Sequence, residues 1–557
     1  MANLAPPSAR AALDELVHQF ADPYAFVREL VQNAIDAGSA EVEVDVRHEV
    51  SAIGQGVVSV HVDDWGEGMT REIIEKKLTR LFSSSKAGDR TKIGKFGIGF
   101  VSVFSLDPDA VCIDTSRDGQ SWRVLFKKDR TFELLTLATP VDGTKVRVLK
   151  HGDATLFDEV RARCERSLRF WCRHVDADVR FAGTPIREPF ALPDAPYFVQ
   201  SNDGLTHLVA GHGNDGATFR GYYNHGLTLF EAEVSANEYP LDGIAFKASS
   251  PRLEHTLTRD AVIEDQGFAG VMREVVALVD GPLAEAVFER LDAEADGKCS
   301  TYTLQAAMCH VARGRFSPTM LRRRIAVAPS GAPITVETIR RGAKGGRALL
   351  ATTRTPLTDE LEQCGHLVLR LAADDPRMAL LQKLAPARAG DDLDLDLDLD
   401  LDLDLDLEVC AVGRHWCMPL LVGETDAPRG WPALRVHLDK GLRVLGAKLA
   451  DIVAGDFDYP ESSIADRIAV TQVVPGTVLG TDELENLAPG VFSRKHALVV
   501  NTAHPSVRSF AALAEREPAV AAYLCIKAFR LGRGLDDDMD TKLVEHVMDE
   551  RWPTPTH

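Results

Sequence analysis

The sequence predicts an α+β protein of several domains, and three observations carry that reading. At 557 residues the chain is too long for one core, given about 150 residues per domain. Its N-terminal part mixes an amphipathic helix with segments that alternate apolar and polar residues strictly, the period of half-buried strands. Helix-like and strand-like stretches then keep alternating to the C-terminus. We expect domains at 1–150, 151–300 and 301–390, an acidic low-complexity linker at 391–408, and a mostly helical C-terminal domain at 409–557.

The spacing predicts a helix over 25–37. Val27, Leu30, Val31, Ala34 and Ile35 form its apolar side, while Glu29, Asn33 and Asp36 follow at i, i+4 and i+7 as a polar stripe. Residues 41–47 alternate, with Val42, Val44 and Val46 on one face, and 54–56 marks a hairpin to a returning strand over 57–62. That strand runs into the loop 63–69, which holds Asp64, Gly66, Gly68 and Met69. A charged helical stretch (70–81) and a polar one (83–90) lead to the glycine-rich 94–100, which opens an apolar helix over 101–106. Strands are expected over 110–115, 122–127 and 143–149. Farther on, 157–172 reads as helix and 219–229 as strand, and 251–264 leads into a long amphipathic helix ending near Arg290. A strand and turn (347–353), a helix (357–364) and a strand (366–371) suggest a second α/β unit. Helices are expected over 442–453 and 518–531, with a strand, turn and helix start over 497–508.

Composition narrows the function classes. The net charge of −20 does not favour a phosphate-backbone partner. Nine scattered cysteines without a Cys-x-x-Cys pair fit reduced thiols better than a disulfide framework or a zinc site. Neither a signal peptide nor an apolar run of about 18 residues is visible, so a cytoplasmic protein without a membrane span is expected. The Asp-Leu repeat over 391–408 holds nine Asp and one Glu, a charge density that favours an expanded acidic linker.

Four N-terminal segments offer compatible chemistry. A carboxylate one turn before a carboxamide, Glu29 and Asn33, suits activation of a water beside a metal-bound phosphate. A buried Asp64 can accept a hydrogen bond from an adenine amino group, and glycines admit a base close to backbone. Amides at the helix start after Gly94, Gly97 and Gly99 can face phosphates, and Thr144 can complete the bonding around Asp64. Taken singly, an Asp-x-Gly-x-Gly segment is a turn and Gly-x-x-Gly-x-Gly is shared with dinucleotide-binding folds. The order and spacing of all four make the signal.

Together they resemble the Bergerat ATP-binding fold of DNA gyrase, mismatch-repair ATPases, histidine kinases and the heat shock protein 90 chaperones. The resemblance implies ATP and Mg as cofactors, with Glu29 as general base and Asn33 as the Mg ligand. Asp64 would hold adenine with Thr144 behind it, and 70–93 would form the ATP lid. The remaining contacts would come from Asp36 (chiefly structural), Ala37, Gly66, Gly68, Met69, Ser84, Lys86, and Gly94, Phe96, Gly97, Ile98, Gly99 and Phe100 around the phosphates. The segment 257–260 resembles the arginine loop of the heat shock protein 90 family, which implies an arginine-finger role for Arg259 in a middle domain with a ribosomal S5 domain 2-like first part. Residues 501–507 with the later helix resemble the C-terminal dimerisation region of its bacterial, HtpG-like members. An ATP-hydrolysing chaperone follows as the expectation, a homodimer acting on non-native client proteins. The alternatives are a clamp ATPase of mismatch-repair or chromatin-remodelling type acting on nucleic acid, or a nucleotide-switched scaffold. The chain departs from the heat shock protein 90 pattern in a missing insertion after the first helix, a shortened lid and no Glu-Glu-Val-Asp ending.

Overall fold

The structure is a computed structural model that describes residues 22–50, 56–79, 98–192, 195–213, 218–234, 241–254, 256, 261–342, 346–385, 408–484, 496–530 and 535–552. The chain divides into two compact units, Met1–Leu283 and Ala284–His557.

Alternation builds the first unit. Strands β1 (Glu41–Val50) and β2 (Gly56–Asp64) pair antiparallel, and Val42, Val44, Val46, Val58, Val60 and Val62 all lie buried on one face. Each such valine contributes about 1.5–3 kcal/mol relative to exposure. β3 (Ala110–Arg117), β4 (Gln120–Lys127), β5 (Phe132–Thr136) and β6 (Thr144–His151) repeat the pattern, burying Val111, Ile113, Val124, Phe126, Val146 and Val148. With β7 (Asp178–Phe181) and β8 (Thr184–Pro185) they form one sheet in the order β5-β4-β3-β6-β2-β1-β7-β8. Only β7 joins it parallel, against β1.

Two helices cover the buried face. α1 (Phe26–Asp36) contributes Phe26, Val27, Leu30, Val31 and Ala34, and α2 (Ala154–Cys172) contributes Val160, Cys164 and Leu168 to the same core. Core residues Val175, Val179, Phe181 and Ile186 also belong to it, so this layer continues past residue 150. The parallel β7 is the reason, because it needs α2 as its crossover. A five-stranded sheet follows, in the order β12-β11-β13-β10-β9, built from β9 (Phe198–Asn202), β10 (His207–His212), β11 (Thr218–Asn224), β12 (Leu227–Val234) and β13 (Ile244–Ser249). A helix over Gln266–Leu278, capped by the Asp265 side chain, packs with it.

In the second unit, β14 (Arg324–Val327) and β15 (Pro333–Thr335) form a hairpin. β16 (Arg347–Leu350), a helix (Pro356–Gln363) and β17 (Leu367–Leu369) form the α/β unit expected there. Its sheet has a third strand, β18 (Glu408–Ala411), parallel to β16 on the other side. The Asp-Leu repeat therefore joins the helix Arg377–Leu384 to β18 of the same sheet, an insertion within one fold unit where a linker was expected. Glu408 is strand; the rest of the repeat lies outside the described residues. Short strands β19 (Trp416–Cys417), β20 (Leu420–Leu421), β21 (Ile452–Asp456), β22 (Ala469–Gln472), β23 (Leu479–Gly480) and β24 (Ala497–Asn501) follow. β20, β21, β24 and β22 make a four-stranded sheet that packs with helices over Trp431–Val444, Pro505–Ala514, Pro518–Arg530 and Asp537–Arg551. The helix expected over 442–453 is corrected: it lies over Trp431–Val444, and 452–456 is strand. Among the described residues no helix is long and apolar enough to cross a membrane.

Candidate functional site

The site is assembled at one end of the eight-stranded sheet. Strand register sets Thr115, Thr144 and Asp64 side by side on β3, β6 and β2. Asp64, 8% exposed, is the last residue of β2. Its Oδ1 accepts hydrogen bonds from the Gly66 amide at 2.9 Å and the Thr144 amide at 3.2 Å. Its Oδ2 makes no hydrogen bond among the described residues and is left as an open acceptor. Burial pushes the carboxyl above its usual range, while the two amides and the nearby Lys145 act in the opposite direction.

Thr144 thus meets Asp64 through its backbone amide, whereas its hydroxyl lies 3.2 Å from that of Thr115. Thr115 is fully buried and central: its hydroxyl accepts from the Met69 amide at 2.9 Å and donates to the Gly143 carbonyl at 3.3 Å. Gly143 has φ +66°, and a Cβ there would strike the Asp64 carbonyl, so only glycine fits the turn into β6. The loop after β2 is tied down in several places. The Trp65 amide donates to Ser39 Oγ at 2.9 Å, and the Glu67 amide donates to the Ala37 carbonyl at 2.9 Å. Gly66 packs on Ala37, and Gly68 lies against the Ser116 carbonyl. Lys145 Nζ sits 3.9 Å from the centre of the Trp65 ring.

Glu29 and Asn33 come from α1. Glu29 is buried, 5% exposed, and its carboxylate lies against Gly99, where a Cβ would collide with Oε2. The helical turn Ile98–Val101 therefore starts beside the carboxylate, with Phe100 buried against Phe104 and Phe126. Asn33 is exposed one turn on, and its carboxamide has no hydrogen bond among the described residues, so its oxygen is open to a cation. Asp36 is at the surface. Partial shielding raises its carboxyl, and His225, in the turn between β11 and β12, acts in the opposite direction. Of the lid segment, Arg71–Ile73 and a π-helical turn over Ile74–Leu78 are described. Ser84, Lys86, Gly94, Phe96, Gly97 and Arg259 lie outside the described residues, as does the side chain of Ile98.

Thr115, Ser39 and Lys145 are absent from the sequence-based set. A lone Thr, Ser or Lys carries no spacing signal; their roles depend on strand register and loop closure. Arg28, beside Glu29, is also unforeseen. Its guanidinium is buried 4.6 Å above the Trp171 ring, its Nε is without a hydrogen-bond partner, and burial brings its pKa down to about 10.

A buried acceptor at a strand end, a carboxylate–carboxamide stripe on the covering helix and a glycine at the next helix start thus lie in one layer at this end of the sheet. Residues 23–134 match the family model described as "Histidine kinase-, DNA gyrase B-, and HSP90-like ATPase". Over those residues the chain is similar to this ATPase family. The chain is similar to HtpG chaperones: it is 31% identical over 167 residues to the chaperone protein HtpG of Methylococcus capsulatus, covering 25% of this chain and 26% of that one. It is 25% identical over 256 residues to HtpG of Chlorobium chlorochromatii, covering 40% and 39%. It is also 33% identical over 153 residues to the DNA mismatch repair protein MutL of Opitutus terrae, covering 25% and 21%. The chain thus spans between about a fifth and two fifths of the length of these curated relatives.

Proposed function

We propose that the chain binds and hydrolyses ATP, and that it uses this cycle as an HtpG-like chaperone on non-native proteins. The single observation that supports ATP binding best is Asp64, a buried carboxylate with one oxygen satisfied by two amides and the other open. An adenine amino group is a donor of the right kind for that oxygen. Gly66, Gly68 and Met69 border the base, with Asp36 and Ala37 at the end of α1 supporting the loop. Glu29 orients the attacking water and takes its proton, screened by burial from bulk solvent. Asn33 would hold Mg, which would supply positive charge beside the phosphates. The amides from Gly94 to Phe100 receive the phosphates, Ser84 and Lys86 belong to the lid, and Arg259 completes the site as a finger from the middle domain.

The chaperone reading is supported by the likeness to an HtpG that extends over 256 residues, well past the ATPase domain. A MutL relative keeps a nucleic-acid clamp as the second reading. Turnover measured with a denatured protein and with DNA separates them. Stimulation by the denatured protein alone is the expected result; stimulation by DNA alone would replace the chaperone assignment with the clamp.

We also place a homodimer contact on the C-terminal helices. Val544 and Met548, four residues apart on the helix Asp537–Arg551, are exposed, and Trp552 after its end is 58% exposed. Such a stripe suits a self-complementary interface with a second copy.

A further inference from the structure

Outside the nucleotide site, β18 and the turn after it bring three metal-ligating side chains together. Glu408 and Cys410 are two apart on β18, so both project from the same face. The helical turn Val412–His415 then folds His415 back towards them. One donor atom from each of Glu408, Cys410 and His415 lies within 4.8 Å of the others. His415 Nε2 is 3.5 Å from Glu408 Oε1 and is buried without a hydrogen-bond partner. Cys410 is 5% exposed and packs in an apolar cluster with Leu349, Leu357 and Val368. Glu408 Oε2 is occupied by Arg347 Nε at 2.6 Å, which orients the carboxylate and leaves Oε1 facing the histidine.

We propose that Glu408, Cys410 and His415 bind a divalent zinc-class ion. Thiolate, imidazole and carboxylate are the three ligand types zinc takes, and a tetrahedral ion holds its donor atoms about 3.4 Å apart. The three donor atoms, all within 4.8 Å of one another, would draw together towards that value on binding. The ligand set rules out a calcium or magnesium preference, since those ions select all-oxygen sites. Binding displaces the Cys410 proton, leaves the fourth position to water, and fixes β18 to the turn after it. Arg347, bonded to the far carboxylate oxygen, is the outer-shell partner such sites use to orient a ligand. A Glu-x-Cys-x-x-x-x-His spacing with no paired cysteines explains why the sequence alone argues against a zinc site.

The test uses the full chain, stripped with a chelator and titrated with Co(II), then with Zn(II) in competition. The wild type is expected to develop a thiolate-to-cobalt charge-transfer band that Zn(II) removes. Cys410→Ser loses the band, and His415→Gln and Glu408→Gln weaken Zn(II) binding by about tenfold or more. The Asp-Leu carboxylates also bind divalent ions but cannot produce a sulfur band, so they do not mimic the result. Absence of the band in the wild type overturns the proposal. So does unchanged Zn(II) affinity in Glu408→Gln, a surface substitution that stays informative even where Cys410→Ser fails to fold.

Discussion

At the scale of single residues, the candidate site depends on how tightly side chains and glycines share space. Glu29 and Gly99 illustrate it: the carboxylate occupies the place a Cβ would take. Gly143→Ala adds a methyl against the Asp64 carbonyl at φ +66°, which the turn cannot absorb. We expect a loss of about 1–3 kcal/mol in urea unfolding and weaker binding of a fluorescent ATP analogue; wild-type values for both would remove the role given to that turn. The placement of Glu29 and Asn33 on one helix and of Asp64 at a strand end was legible because their spacing matches helix and strand periods. Thr115 was not. It earns its place through the register Thr115↔Thr144, and cross-strand adjacency leaves no trace in a linear spacing. The Thr144 hydroxyl, read as a partner of Asp64, turns instead to Thr115.

At the scale of elements, β1, β2, β3, β4 and β6 were legible because the apolar residues each buries in the core recur at every second position. The helix read over 442–453 failed because a short apolar run fits a buried strand as well as a helix end. Gly446, at φ +80°, separates the two: the helix ends just before it, and Ile452 and Ala454 enter a sheet. The pairing of β18 with β16 was hidden because the two strands lie 61 positions apart, Arg347 opposite Glu408. Two histidines on these elements set an acid response. Burial is the largest cause that lowers His61 of β2 and His174 after α2 from 6.5 to about 4, assisted by Arg147 and Lys247 respectively. Both stay neutral in the native state while the unfolded chain takes up protons below 6.5. Their contribution to stability is therefore complete above 6.5 and is lost as pH falls towards 4. Urea midpoints at pH 7.5 and pH 5 should show the drop, reduced in a His61→Asn, His174→Gln variant; equal midpoints at the two pH values would contradict it.

At the scale of the whole molecule, two compact units carry different tasks in our reading: the first holds the nucleotide, the second joins copies of the chain. The C-terminal stripe gives a direct prediction. Val544→Asp with Met548→Lys should halve the mass seen by light scattering and leave ATP binding intact; an unchanged mass would move the contact elsewhere. In our reading Glu29 activates water in a site that Asp64 builds for ATP. The measurement closest to it is ATP binding and turnover of the full chain, wild type beside Glu29→Ala. We predict similar ATP affinity in both and turnover about 10² to 10⁴-fold lower in the variant. Equal turnover in the two proteins would contradict the account.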